Sequence, residues 1–139
     1  MTYNPLHTHL SIFDLDNTLF LSKLGGKKRE DYEQRLRAWL RELVGRGHVV
    51  AVASFNKEAE SVLHTMGIRE LFGNNVLTDT ALSKRSMVEK LMGSYPAIPK
   101  ANVTFYDDDF DSVLEVRAIG VNGINVAPMT GIRAVFAPP

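Results

Sequence analysis

A chain of 139 residues with 45% apolar and 23% charged residues has the balance of a single globular domain, large enough for a hydrophobic core. Its formal net charge is zero and it has no cysteine. Neither a nucleic-acid footprint nor attraction to acidic membranes is therefore expected, and disulfides, thiolate zinc sites and thiol catalysis are excluded together. Residues 1–10 lack a basic segment followed by an apolar one, and no apolar run is long enough to span a bilayer. The expected location is cytoplasmic.

The first informative stretch is an apolar run that ends in acids: Ser11, Ile12 and Phe13 lead into Asp14, Leu15, Asp16, Asn17, Thr18, Leu19 and Phe20. In an α/β protein the carboxyl end of a buried strand opens onto the ligand crevice, so acids there are placed for chemistry. Extended alternation sets Asp14 and Asp16 on one side and Leu15 on the other. Two carboxylates about 4 Å apart repel by roughly 4 kcal/mol at an effective dielectric of about 20. A bound hard cation such as Mg²⁺ is the simplest group to offset that.

Residues 20–29 contain Gly25, Gly26 and the basic cluster Lys27, Lys28 and Arg29, which predicts a loop or short flap beside the acids. The cluster is either a solvated surface or an attraction for a phosphorylated group. A helix is predicted over residues 30–44, where Leu36, Trp39, Leu40 and Leu43 form one buried face. Trp39 reads as core, Glu33 and Arg37 are spaced for a helical ion pair, and Gly45 and Gly47 end the helix. Residues 48–53 form a short, continuous apolar run with β-branched residues, expected as a buried parallel strand ending at Ser54.

A helix over residues 57–66 follows, with Ala59, Val62, Leu63 and Met66 as its stripe and Gly67 as its stop. Residues 76–78 suggest a short third strand, and residues 84–92 a helix with Ser83 as N-cap and Gly93 at its end. Pro96 and Pro99 mark a loop. Residues 102–106 predict a fourth strand running into Asp107, Asp108 and Asp109, followed by a short helix through Val113, Leu114 and Arg117. A glycine-interrupted fifth strand is expected over residues 119–126, and a proline-bearing tail over residues 127–139 either packs on the domain or binds a partner. Strands alternating with helices argue for an α/β sandwich around a parallel sheet, in a single domain spanning residues 1–139.

Three strands thus end in polar residues: Asp14 with Asp16, then Ser54, then Asp107 with Asp108, with Lys84 able to lean toward the same edge. DxDxT, Ser, Lys and Asp-Asp, in that order, resemble the four motifs of the haloacid dehalogenase (HAD) superfamily of phosphohydrolases. The resemblance runs over residues 11–126. It implies a Rossmann-like three-layer α/β/α sandwich with a mainly parallel five-stranded sheet. It also implies a Mg²⁺-dependent phosphatase acting on a phosphorylated small molecule or protein through an aspartyl-phosphate. Carried over by motif, Asp14 is the nucleophile and Asp16 the general acid/base. Ser54 and Lys84 bind phosphate. Asp14, the Asp16 carbonyl and Asp108, with Asp107 beside it, hold the metal. Thr18 braces the loop.

Other residues carry plainer expectations. Asn56 is most simply the N-cap of the next helix, though it could touch substrate. Asp109 and Asp111 suit a helix's first turn; Asp111 could also orient Lys84 or a metal-bound water, unless the family spacing falls on Ser112. Arg85 is an alternative phosphate contact to Lys84. His7, His9, His48 and His64 share no ligand spacing. The intervals before and after Ser54 leave no room for a large cap domain, so an open site is expected. The doubled acid resembles the magnesium-dependent phosphatase branch of the superfamily, but that branch carries a basic residue where this chain has Phe55. The competing readings are a phospho-acceptor signalling module of the response-regulator type and a phosphoryl-binding domain without turnover.

Overall fold

The structure, a computed structural model, describes residues 7–136. Five strands, β1 (His9–Phe13), β2 (His48–Ser54), β3 (Val76–Thr78), β4 (Val103–Asp107) and β5 (Asn122–Asn125), form one sheet. Every pairing is parallel and the order is β3-β2-β1-β4-β5. The crossovers are α1 (Gly26–Gly45), α2 (Ala59–Thr65), α3 (Lys84–Gly93) and α4 (Phe110–Arg117). A short α5 (Arg133–Phe136) ends the described chain. This is the three-layer Rossmann-like sandwich that the alternating pattern predicts, and among the described residues no large cap interrupts it.

A parallel sheet has two faces to cover, and the strands supply apolar residues to both. Phe13, Val50 and Val52 pack with Leu36 and Leu40 of α1, Leu63 of α2 and Ile132 near the C-terminus. Leu10, Ile12, Val49, Ala51 and Phe105 pack on the opposite face with Met87, Val88 and Leu91 of α3 and Val113 and Val116 of α4. The chain crosses from one face to the other after β3. The strand order reverses there, between β1 and β4, and ligand crevices of open α/β sheets lie at such reversals, beyond the strand carboxyl ends.

Several expectations change in detail. The basic cluster is helical: Lys27, Lys28 and Arg29 lie in the first turn of α1, leaving only a short loop before it. Arg29 is used structurally, donating to the Leu21 carbonyl at 3.2 Å, lying over the Phe20 ring and pairing with Glu33 at 3.6 Å. Arg37 therefore makes no pair with Glu33. It reaches instead to the Met66 and Gly67 carbonyls, at 3.1 and 3.0 Å, where the end of α2 leaves acceptors unpaired. The fifth strand is shorter than predicted, because residues 118–120 complete the turn that ends α4, with Gly120 at φ +88. Trp39 is a core aromatic, its ring edge-on to Phe13 at 5.8 Å.

The tail packs on the domain. Ile132 is fully buried, and Phe136 stacks on Trp39 at 5.3 Å and on Tyr32 at 6.1 Å. Residues 137–139 of the tail, like residues 1–6, lie outside the described residues.

The start of α1 is poorly matched to its own dipole. Its first turn holds no acid, and its N-cap, Gly25, has extended backbone (φ −144, ψ 170) and no capping side chain. A Cβ at Gly25 would meet nothing within 4 Å. Gly25→Asp is therefore expected to stabilise the protein by about 0.5–1 kcal/mol, measured by urea unfolding.

Candidate active site

The turn after β1 decides where its two acids point. The Leu15 carbonyl accepts the backbone N–H groups of Thr18, Leu19 and Phe20, at 3.2, 3.0 and 2.8 Å. Asn17 takes a left-handed conformation, φ 62, which Asn tolerates better than most residues. The chain folds back on itself, Leu15 enters the core, and Asp14 and Asp16 face one cavity. The two acids share a side as alternation predicts, although the strand stops at Phe13 and a turn, not extended backbone, puts them there. Thr18, fully buried, donates its hydroxyl to Asp14 Oδ2 at 3.3 Å.

The cavity, about 220 Å³, lies beyond the carboxyl ends of β1, β2 and β4. Asp14, Asp16 and Asn17 line it from the first turn, and Ser54, Phe55 and Asn56 from the end of β2. Lys84 enters from α3, and Asp107, Asp108, Asp109 and Ser112 come from the end of β4 and the start of α4. Each residue expected at the strand ends is thus on this one cavity. Another cavity, between α1 and α5, shares no lining residue with it.

Lys84 is the first residue of α3, whose N-cap Ser83 accepts from the Ser86 N–H at 3.1 Å, as predicted. Only 3% exposed, Lys84 donates from Nζ to Asp14 Oδ1 at 2.8 Å and to Asp107 Oδ2 at 2.9 Å. Asp107 is committed at both oxygens, since its Oδ1 accepts from the Asp109 N–H at 3.0 Å. Asp108 is less buried, and a carboxylate oxygen of it lies within 4.8 Å of one on Asp14 and one on Asp107. The Ser54 Oγ accepts from the Asn56 N–H at 3.0 Å, which leaves its proton to be donated. Arg85 lies outside the cavity, exposed and paired with Glu89 at 3.8 Å.

Near the site one expectation is corrected and one pair of alternatives is resolved. Asn56 does not cap α2, whose N-cap is Glu58. Its Oδ1 accepts from the Glu58 N–H at 2.8 Å in an Asx-turn, and its Nδ2 donates to Asp16 Oδ2 at 3.1 Å. Asp111 does not line the cavity; it lies in the first turn of α4. Ser112 occupies the lining instead, buried and donating to Asp109 Oδ2 at 2.8 Å. Asp109 is the N-cap of α4, so the spacing of an acid followed three residues later by Ser was the sequence signal for this pair. None of the four histidines lines the cavity; His9 and His48 stack at 4.5 Å where β1 and β2 begin.

The site carries more negative charge than its one lysine offsets. Burial pushes the Asp14 carboxyl up, to about 8; Lys84 opposes this and Asp107 reinforces it. Burial alone would lower the Lys84 value, but Asp14 and Asp107 outweigh it and keep the ammonium charged. Burial also raises Asp108. The carboxylate oxygens of Asp14, Asp107 and Asp108 lie within 4.8 Å of one another. An all-oxygen, anionic and underneutralised cluster is the donor set a hard divalent cation takes, and it fits one here.

That fit gives a pH dependence. The metal-free folded state holds a proton on Asp14 up to about pH 8, whereas the unfolded chain releases it near its ordinary value of 3.8. The folded state binds more protons between these values, so this carboxyl makes stability fall as pH rises through that window. A divalent cation must displace the proton. The rise in Tm caused by Mg²⁺, relative to EDTA, is expected to grow with pH up to about 8 and then level off; thermal unfolding from mildly acidic to mildly alkaline pH checks this.

No protein-family model and no curated protein sequence matches the chain. Solved structures do. The core domain of a protein assigned as a phosphoglycolate phosphatase, from Streptococcus pneumoniae TIGR4, superposes with a TM-score of 0.62 at 19% identity, over 91% of this chain and 85% of that one. A protein assigned as a phosphatase from Clostridium difficile gives 0.66 at 14% identity, over 90% and 87%. A HAD-superfamily hydrolase of subfamily IA from Geobacter sulfurreducens PCA gives 0.61 at 16% identity, over 90% of each chain. The chain has the fold of the HAD-superfamily hydrolases.

Proposed function

We propose that this protein is a Mg²⁺-dependent phosphohydrolase that cleaves phosphomonoesters through an aspartyl-phosphate on Asp14. The observation that carries the reading is the convergence, on one cavity, of a buried carboxylate, a second acid, a hydroxyl, a buried ammonium and an underneutralised acid cluster. Mg²⁺, held by Asp14, the Asp16 carbonyl and Asp108 with Asp107 beside it, would neutralise phosphoryl charge and favour in-line displacement.

The residues then divide the work. An Asp14 carboxylate oxygen attacks phosphorus, and the bond from phosphorus to the ester oxygen breaks. Asp16 gives its proton to that leaving oxygen. In the second half Asp16 takes a proton from water, the water oxygen attacks phosphorus, and phosphate leaves as the Asp14 carboxylate is restored. Lys84 and Ser54 donate to the phosphoryl oxygens, where charge builds. Asn56, which holds the Asp16 carboxylate, would set its direction and lie next to the substrate.

A cavity of about 220 Å³ suits the phosphoryl group and its immediate neighbour, leaving the rest of the substrate outside. With no large cap above it among the described residues, the site suits phosphoproteins of the phosphotyrosine type or sugar phosphates. Phe55 is the one apolar side chain in the lining and is 44% exposed. It favours a leaving group with a flat apolar face. The sheet order argues against the response-regulator type of signalling module, because that flavodoxin-like architecture has the order 2-1-3-4-5.

Two measurements test this. The wild type is expected to hydrolyse p-nitrophenyl phosphate with Mg²⁺ but not with EDTA, and Asp14→Asn to fall to background. Activity surviving in Asp14→Asn overturns the mechanism, and binding of phosphate without turnover on any surrogate favours the phosphoryl-binding module. Phe55→Ala is expected to raise KM for aryl phosphates roughly fivefold to tenfold, on the scale of one lost aromatic contact. Little change is expected for glucose 6-phosphate; equal changes on both substrates would remove Phe55 from substrate selection.

A further inference from the structure

We propose that the C-terminal segment, residues 126–136, is a positioning element of the site, locking the turn that carries Asp14 and Asp16 against the end of β4. The inference rests on the reading above that the acid cluster takes a divalent cation.

The segment is attached at both sides of the cluster. At its start, the Val126 N–H donates to the Asp107 carbonyl at 3.0 Å, and Asn125 Nδ2 reaches the same oxygen at 3.1 Å. At its far side, the Ile132 N–H donates to the Thr18 carbonyl at 2.9 Å. Thr18 is the residue whose hydroxyl reaches Asp14 Oδ2. A compact turn joins the two attachments, its Ala127 carbonyl accepting from Thr130 at 3.1 Å and from Gly131 at 2.7 Å.

Gly131 makes the fit close. It is in the left-handed region, φ +53, and a Cβ there would press on the Leu21 Cδ2 methyl and stand 2.6 Å from the Thr18 carbonyl oxygen and 3.1 Å from that of Asn17. Two of these three obstacles are backbone atoms of the acid-bearing turn, which would have to move, with the Leu21 side chain, to admit a methyl group. Ile132, fully buried with Leu15, Leu19 and Leu21, anchors the segment from the core side. β1 and β4 are already joined at this level by the Asp14 N–H on the Tyr106 carbonyl at 2.9 Å. That bond sets the spacing of the strands, whereas the C-terminal segment sets the turn beyond them. Gly131 and Ile132 are thus positioning residues, acting on the cation site through Thr18 and Asn17.

The test is Mg²⁺ binding by calorimetry, with amide hydrogen exchange of residues 18–20, on the wild type, Gly131→Ala, Ile132→Ala and a control, Val116→Ala. Val116 lies on the inner side of α4, fully buried in the core on the other face, so its truncation lowers stability without touching the turn. Gly131→Ala is expected to weaken Mg²⁺ binding about tenfold or more, the scale seen when groups supporting metal ligands are lost. It should also speed exchange at residues 18–20. Ile132→Ala gives the same readout if Gly131→Ala does not fold. Val116→Ala should lose Tm but bind Mg²⁺ like the wild type. Wild-type affinity in the two C-terminal variants, or an equal loss in Val116→Ala, overturns the inference. Failure of the wild type itself to bind Mg²⁺ is a separate result that overturns the cation reading beneath it.

Discussion

The interaction on which the site depends is the buried ammonium of Lys84 between Asp14 and Asp107. It links three elements distant in sequence: the turn after β1, the first residue of α3 and the last residue of β4. Removing water from two carboxylates is costly, and a single shared cation lowers that cost without cancelling it. The lysine therefore does two things. It makes the close approach of the strand ends tolerable, and it leaves the cluster anionic enough to need something more.

The fold supplies the geometry that this charge arrangement requires. Placing β1 in the centre, with β2 and β4 on either side, brings three strand ends together over one cavity. α1 and α2 cover one face, α3 and α4 the other, and both cores pack against the same strands. α3 must cross to the second face for its N-terminal residue to reach the edge from that side, and the switch after β3 provides this. The apolar cores set the strand positions to within hydrogen-bonding distance, and the polar residues at their ends inherit that precision.

Much of this was legible in the chain because its signals are local. A valine-rich apolar run such as Val49, Val50, Ala51 and Val52 reads as a buried strand by itself, and the residue ending it is then known to face the crevice. What stayed hidden depended on partners far away in sequence. Arg37 satisfies carbonyls thirty positions on, and Asn56 turns toward Asp16, forty positions back. Lys27 and Lys28 follow Gly25 and Gly26, a pair that reads as loop, and the length and packing of α1 carry the helix back through Gly26. The tail's contact with the turn, through Gly131 and Ile132, has no periodic signature at all.

The charge count of the site also orders its chemistry. Five aspartates and one lysine line the cavity, so under the proposed function a dianionic phosphomonoester would meet a field that repels it wherever a carboxylate is ionised. With Asp14 holding a proton its oxygen is a poor nucleophile, and with the proton gone the pocket repels the phosphate more strongly. Under the proposed function a divalent cation would resolve both difficulties at once, displacing the proton and reversing the local field. Cation binding before substrate is the order that these electrostatics would favour, and the proposed nucleophile and phosphate site would then be switched on by the same event. Phe55 at the opening adds apolar contact, but its ring also lies over the Lys84 ammonium, 5.0 Å from Nζ. On the proposed reading, the side chain that would meet the leaving group is therefore coupled to the buried cation beneath it.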